Sequence, residues 1–173
     1  MASLKKVSID TSVLLAMADG CDISKESCRL LQNHWYSPVI CSTVIQECEL
    51  VMKRGEKDPY PRKLGKNLVN KMVTSWGILP APQKQSVLNG VSQEMARKLQ
   101  RATDPQSKMK ENNFLVLTDS ALIDCHIYLT WNTDQLKLRR ASSYELTLDM
   151  LDLPALQIAS PHEINEGFQM LIS

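Results

Sequence analysis

Short runs of apolar and β-branched residues alternate with amphipathic helical segments along nearly the whole chain. The segment 86–99, for example, repeats its apolar residues with the period of an α-helix. Strands that alternate with helices favour a parallel sheet that is covered by helices on both faces. We therefore predict an α/β fold, a three-layer sandwich with a central, mostly parallel sheet flanked by helices. The predicted strands are 7–9, 39–41, 77–80, 125–130 and 156–159.

One stretch, 111–123, is ambiguous between a strand and a helix. Its apolar run 114–118 is short, and short apolar runs do not separate the two structures. The segment that follows, 125–130, is a better strand, so we predict a helix over 112–124.

The length and composition bound the class of protein. A chain of 173 residues can form one domain with a real core, and we predict a single domain over 1–173 with a helical insertion over about 55–110. No apolar run approaches the roughly 18 residues of a membrane helix, and the N-terminus does not resemble a signal peptide, so the cytoplasm is the expected location. The five cysteines have no zinc-site spacing and are predicted to be reduced and mostly buried.

Polar side chains follow several predicted strands. Asp10 comes after the first strand, Ser42 and Thr43 after the second, and Asn132 and Asp134 after the fourth. The carboxyl ends of parallel strands share one edge of the sheet, where open α/β sheets bind ligands. Asp10 has a second interpretation, because aspartate is also a common helix N-cap before residues such as Thr11 and Ser12.

Together these segments resemble the PIN domain, the metal-dependent ribonuclease fold of many bacterial VapC-type toxins. The resemblance spans nearly the whole chain, and it depends on the order and spacing of several short motifs. These are Ile9-Asp10-Thr11-Ser12, Ser42-x-x-Ile45-x-Glu47, Leu129-Thr130-Trp131-Asn132 and Pro161-x-Glu163.

The resemblance implies a site in which several carboxylates surround one or two hard cations. Mg²⁺ or Mn²⁺ prefers oxygen ligands and can generate a hydroxide for in-line attack on a phosphodiester. By resemblance, Asp10 and Glu47 are the first two acids of that site.

The third and fourth acids are where this sequence departs from the family. One register places Asn113 at the third position, and asparagine offers a carbonyl oxygen but no charge. A second register uses Asp119 instead, which leaves a short helix before the next strand. Asn132 occupies the fourth position, with Asp134 as a possible substitute. The predicted catalytic set is therefore Asp10, Glu47, Asn113, Asp119, Asn132 and Asp134, with Asp10, Glu47 and Asp119 as metal ligands.

Substrate contacts are expected around this edge of the sheet. Trp131 offers a face on which a base can stack, although packing at the strand end is the alternative. The stretch from Lys53 to Lys71 contains seven basic residues and only two acidic ones. Such a patch can hold phosphates. The predicted substrate-binding residues are Thr11, Ser12, Thr130, Trp131, Lys53 and Arg54.

The resemblance implies a Mg²⁺- or Mn²⁺-dependent endoribonuclease that cuts single-stranded RNA, with an antitoxin protein as partner and a homodimer as a common state among relatives. The alternative is a degenerate PIN domain that no longer cuts and binds RNA or protein. A third hypothesis, a phosphatase built on Asp10, is weaker because Ser12 stands where its second acid is expected. Three or more carboxylates around a common point would favour the nuclease, and two would favour the degenerate domain.

Overall fold

The structure is a computed structural model that describes residues 4–54, 75–81, 87–106 and 109–172. Its centre is a sheet of five parallel strands in the order β3-β2-β1-β4-β5, which confirms the predicted α/β fold. The strands are β1 (Lys5–Ile9), β2 (Tyr36–Ile40), β3 (Leu79–Pro80), β4 (Cys125–Leu129) and β5 (Gln157–Ala159).

The described helices are α1 (Thr11–Ala18), α2 (Asp22–Asn33), α3 (Ser42–Arg54), α4 (Val87–Thr103), α5 (Glu111–Leu122), α6 (Thr133–Leu138), α7 (Ser142–Met150) and α8 (Pro161–Ile172). Helices α2 and α8 form one packed group, α3, α4, α5 and α7 form a second, and α1 contacts both. The ambiguous stretch 111–123 is a helix because Phe114, Leu117 and Ala121 share one fully buried face.

The winding of the chain reverses between β1 and β4. From β1 the chain runs outward to β2 and β3, and it then crosses back to β4 and β5 on the other side. Ile9 pairs with Leu129, and the Asp10 N–H donates to the Leu129 carbonyl at 3.0 Å. The carboxyl ends of β1 and β4 therefore lie side by side at the topological switch point, where this class of sheet forms a crevice.

The core is one cluster of buried side chains from the sheet and both groups of helices. Parallel strands are buried on both faces, so Val7, Ile9 and Tyr128 are almost fully excluded from solvent. All five cysteines are free, and four of them are buried, which confirms that prediction.

Three helix-to-strand turns contain a non-glycine residue with positive φ. Trp35 lies between α2 and β2 with φ 66°, Asp124 between α5 and β4 with φ 62°, and Asp152 between α7 and β5 with φ 54°. The position after a helix often adopts this left-handed conformation, and glycine is preferred there because it has no Cβ. Trp35 is also 77% exposed. These turns lie at the edge of the sheet opposite Asp10.

Parts of the predicted insertion, 55–74, 82–86 and 107–108, lie outside the described residues. The helix predicted over 86–99 is present as α4 and packs on α5. In the described segments, no helix is both long and apolar enough to cross a membrane.

Candidate functional site at the carboxyl ends of β1 and β4

Asp10 is the N-cap of α1 and lies at the centre of a buried hydrogen-bond network. Its Oδ2 accepts from the Ser12 hydroxyl at 2.6 Å, from the Ser12 N–H at 3.4 Å and from the Thr130 hydroxyl at 2.8 Å. Its Oδ1 accepts from the Tyr128 hydroxyl at 2.7 Å. Four donor groups thus surround a carboxylate that is only 7% exposed.

Gln135, which the sequence analysis did not single out, closes this network on the side of β4. Its side chain is 1% exposed, and its Oε1 lies 3.2 Å from the Tyr128 hydroxyl and 3.0 Å from the Thr130 hydroxyl. Its Nε2 donates to the Asn113 carbonyl at 3.0 Å. Each hydroxyl carries one proton, so Tyr128 and Thr130 divide two protons between Asp10 and Gln135. The amide therefore links the end of β4 to the first turn of α5.

Tyr128 is the second residue that the sequence analysis missed. Burial and the neighbouring Asp10 carboxylate raise the pKa of Tyr128 well above its ordinary value. The phenol therefore keeps its proton and remains a donor to Asp10. Its place in β4 gives no signal of this role, because an aromatic residue in a buried strand is ordinary core.

Glu47 lies in α3 close to Asp10. The Thr11 hydroxyl donates to Glu47 Oε2. Burial raises the pKa of Glu47, the Thr11 bond opposes that rise, and the charge of Asp10 adds to it. The two acids implied by the resemblance are therefore brought together.

Asp119 is hydrogen-bonded to Thr43 on α3. Its Oδ2 accepts from the Thr43 hydroxyl at 2.6 Å, and the carboxylate lines a small polar pocket of about 100 Å³ between α3, α4 and α5. Among the described residues, Asp119 is not grouped with Asp10 and Glu47 so that the three could hold a metal ion. The register that makes Asp119 the third acid stays a prediction.

The remaining predicted catalytic residues have other contacts. Asn113 lies in the first turn of α5, where its carbonyl accepts from Gln135. The Asn132 side chain is the N-cap of α6 and accepts from the N–H groups of Asp134 and Gln135 at 3.0 and 3.3 Å. Asp134 is exposed in the first turn of α6. The Asn132 oxygen is thus already engaged by the backbone.

Of the predicted substrate-binding residues, Thr11, Ser12 and Thr130 belong to the network around the two acids. The Trp131 indole Nε1 donates to Ser24 Oγ at 2.8 Å, and the half-buried ring packs against the core, which favours its structural interpretation. Ser24 lies buried inside α2, which begins at Asp22. Lys53 and Arg54 end α3, and their side chains, like the basic cluster up to Lys71, lie outside the described part.

The residues present fit a Mg²⁺ or Mn²⁺ site poorly. Such cations bind carboxylate oxygens and water, and a carboxylate has about four acceptor positions. Four protein donor groups already surround the acceptor positions of the Asp10 carboxylate. In the described ranges, no three or more His, Cys, Asp or Glu side chains are grouped so that they could hold a metal ion.

The sequence did contain a signal for Gln135. Asn132-x-x-Gln135 has the spacing of a capping box, in which the glutamine normally reaches back to the N-cap backbone. Here the amide turns inward to the network instead. The pattern predicts the short helix α6, which the sequence analysis had treated as a polar strand end.

Glu47→Gln should flatten the pH dependence of stability. A carboxyl whose folded-state pKa is raised makes the free energy of unfolding fall as pH rises from its ordinary value of 4.5 through the raised value. The glutamine keeps an acceptor for Thr11 without the charge, so we expect the variant to be about 0.5 kcal/mol more stable than wild type near neutral pH. Urea unfolding at several pH values measures this, with the exposed Glu145→Gln as control. Parallel wild-type and Glu47→Gln curves at all pH values would contradict it.

The comparisons with known proteins support the fold. No protein-family profile and no curated protein sequence matches the chain. The structure is similar to a chain of VapBC2 from Rickettsia felis, solved in complex with a DNA fragment from its promoter, with a TM-score of 0.60 and 13% identity. The match covers 90% of this chain and 98% of that one. At this identity the likeness shows the fold alone, and that fold is PIN-like.

Proposed function

We propose that this protein is a PIN-like domain that binds a protein partner of the antitoxin class in the cytoplasm and no longer hydrolyses RNA. The observation that supports the loss of hydrolysis is the engagement of Asp10 by Tyr128, Thr130 and Ser12, with Gln135 closing the network behind two of these groups. The toxin–antitoxin complex that contains the similar fold supports the class of partner.

A second candidate function is a Mg²⁺- or Mn²⁺-dependent endoribonuclease acting on single-stranded RNA, possibly the toxin of a toxin–antitoxin pair and a homodimer. The observation that favours it is the proximity of Asp10 and Glu47, since the charge of Asp10 contributes to the raised pKa of Glu47. The nuclease is favoured by three or more carboxylates around a common point, and only Asp10 and Glu47 are brought together among the described residues. We therefore rank this candidate second.

A cleavage assay with labelled single-stranded RNA separates the two functions. Wild type, Glu47→Gln and Asp10→Asn are compared with Mg²⁺, with Mn²⁺ and with chelator, after circular dichroism confirms equal folding. We expect no metal-dependent cleavage above that of the variants. Glu47→Gln is the decisive variant because it keeps the Thr11 bond and leaves the Asp10 network intact. Metal-dependent cleavage that disappears in Glu47→Gln would establish the nuclease and overturn the first proposal.

A further inference from the structure

A cavity of about 460 Å³ lies between α7 and the edge strand β5, away from the network around Asp10. Its floor is apolar and consists of the buried side chains of Tyr144, Leu148, Leu153, Leu156 and Ile158. This volume is within the range of ligand-binding pockets in proteins.

The wall that α7 contributes is acidic. Glu145 and Asp149 are exposed, stand one helical turn apart and line the cavity. In the described residues no lysine or arginine forms an ion pair with either of them. The cation at the opposite wall, Arg139, pairs with Glu163. The rim therefore carries two carboxylates that have no partner charge in the described part of the chain.

The apolar surface continues outside the cavity on the far side of these acids. Leu146 and Met150 are 64% and 84% exposed and are also one turn apart. Each lies about 100° around the helix from its acidic neighbour, so an apolar strip runs beside the acidic strip. A small ligand that filled only the cavity would leave Leu146 and Met150 in water, so the surface fits a larger partner.

The edge of β5 is not free to pair with an added strand. The Leu156 carbonyl accepts from the Tyr144 hydroxyl at 2.9 Å, and the Ile158 carbonyl accepts from Arg139 Nη1 at 3.4 Å. These acceptors are the groups that a strand pairing with this edge would need. A partner therefore binds through its side chains rather than by extending the sheet.

The charge of the surface selects the chemistry of the partner. Glu145 and Asp149 repel RNA phosphates and anionic lipid, and they attract lysine and arginine. We propose that the α7 surface, formed by this cavity with Glu145, Asp149, Leu146 and Met150, binds a basic amphipathic helix of another protein. Apolar side chains of that helix enter the cavity, and its Lys or Arg residues pair with the two acids. This inference goes beyond the proposed function, because none of these residues belongs to the Asp10 network.

The test uses the full chain and a fluorescein-labelled Leu/Lys amphipathic peptide, followed by fluorescence anisotropy at physiological salt. Two control peptides are a scrambled sequence of the same composition and a version with Glu in place of Lys. The charge-reversed variant is Glu145→Lys with Asp149→Lys. Its matched control is Asp22→Lys with Glu26→Lys, which reverses two acids one turn apart on α2. Ala155→Trp places an indole at the exposed rim of the cavity and narrows it.

We expect wild type to bind the Leu/Lys peptide and neither control peptide. The Kd should rise about tenfold or more in Glu145→Lys/Asp149→Lys and in Ala155→Trp, and less than about twofold in the α2 control. If both charge-reversed variants bound the peptide equally weakly, net charge alone would explain the effect and the proposal would be overturned. Equal binding of the scrambled peptide would also overturn it. Sedimentation velocity tests whether a second copy of this chain occupies the surface instead. Wild-type self-association that Leu146→Glu abolishes, without peptide binding, would assign the surface to a second copy and overturn it too.

Discussion

Asp10→Ala should lower the free energy of unfolding by about 3 kcal/mol. The substitution leaves the buried hydroxyls of Tyr128 and Thr130 with Gln135 Oε1 as their shared acceptor, and a buried donor left unsatisfied costs about 1–3 kcal/mol. It also removes the N-cap of α1, which is worth about 1 kcal/mol. Relief of the buried charge offsets part of this loss. Urea denaturation with a common m-value measures the change.

Two further variants define the origin of this loss. Asp10→Asn keeps one acceptor oxygen and should lose about half as much as Asp10→Ala. Asp134→Ala removes a carboxylate that is exposed and makes no side-chain contact with the network, so it should change stability by less than about 0.5 kcal/mol. A result in which Asp10→Ala and Asp134→Ala are equally mild would show that the network contributes little. The size of the expected loss also means that inactivity of an Asp10 variant is informative only when its folding has been measured.

Gln135→Ala should destabilise the protein by about 2–3 kcal/mol. The amide is almost fully buried, so its loss leaves a small cavity, removes the donor to the Asn113 carbonyl and leaves one acceptor fewer for Tyr128 and Thr130. We expect the thermal transition to move down by several degrees. An unchanged transition would mean that Gln135 does not hold α6 to the rest of the network.

Gln135→Glu makes the same position a test of metal binding. The variant has the same shape but adds a carboxylate to the network around Asp10, where Gln135 Oε1 lies beside Tyr128 and Thr130. We expect millimolar Mn²⁺ to raise the melting temperature of Gln135→Glu and to leave wild type unchanged, since a ligand stabilises only the state that binds it. The double variant Gln135→Glu/Glu47→Gln serves as control and should lose most of this effect. Equal stabilisation of wild type by Mn²⁺ would instead favour the nuclease.

Most of the fold could be predicted from the sequence because its signals are periodic and local. The five strands and the helical assignment of 111–123 follow from hydrophobic spacing. Strand boundaries were less predictable. Strand β2 begins at Tyr36 and includes Pro38, which a pattern of apolar residues alone does not indicate. The start of α2 has no capping signal in the sequence, because its N-cap, Cys21, makes no side-chain capping bond.

The candidate site was harder to predict because its contacts join residues that are distant in sequence. Asp10 was predicted to lie at the sheet edge, but its partners Tyr128 and Thr130 follow more than a hundred positions later, and their donors are visible only once β1 and β4 are paired. Both interpretations of Asp10 proved relevant, since it caps α1 and also stands beside Glu47. Asp119 likewise has a partner that is distant in sequence, because it accepts a hydrogen bond from Thr43 on α3.

The left-handed residues at the amino edge of the sheet have a practical consequence for these experiments. Trp35 is held at φ 66° with its ring in solvent, so replacement by glycine removes backbone strain and sacrifices little packing. Relief of a left-handed conformation is worth about 1–2 kcal/mol, reduced by the greater freedom of glycine in the unfolded chain. This position lies across the sheet from Asp10 and Gln135. A Trp35→Gly background is therefore expected to provide a somewhat more stable host in which weakened variants of the crevice can be expressed, purified and compared at one temperature.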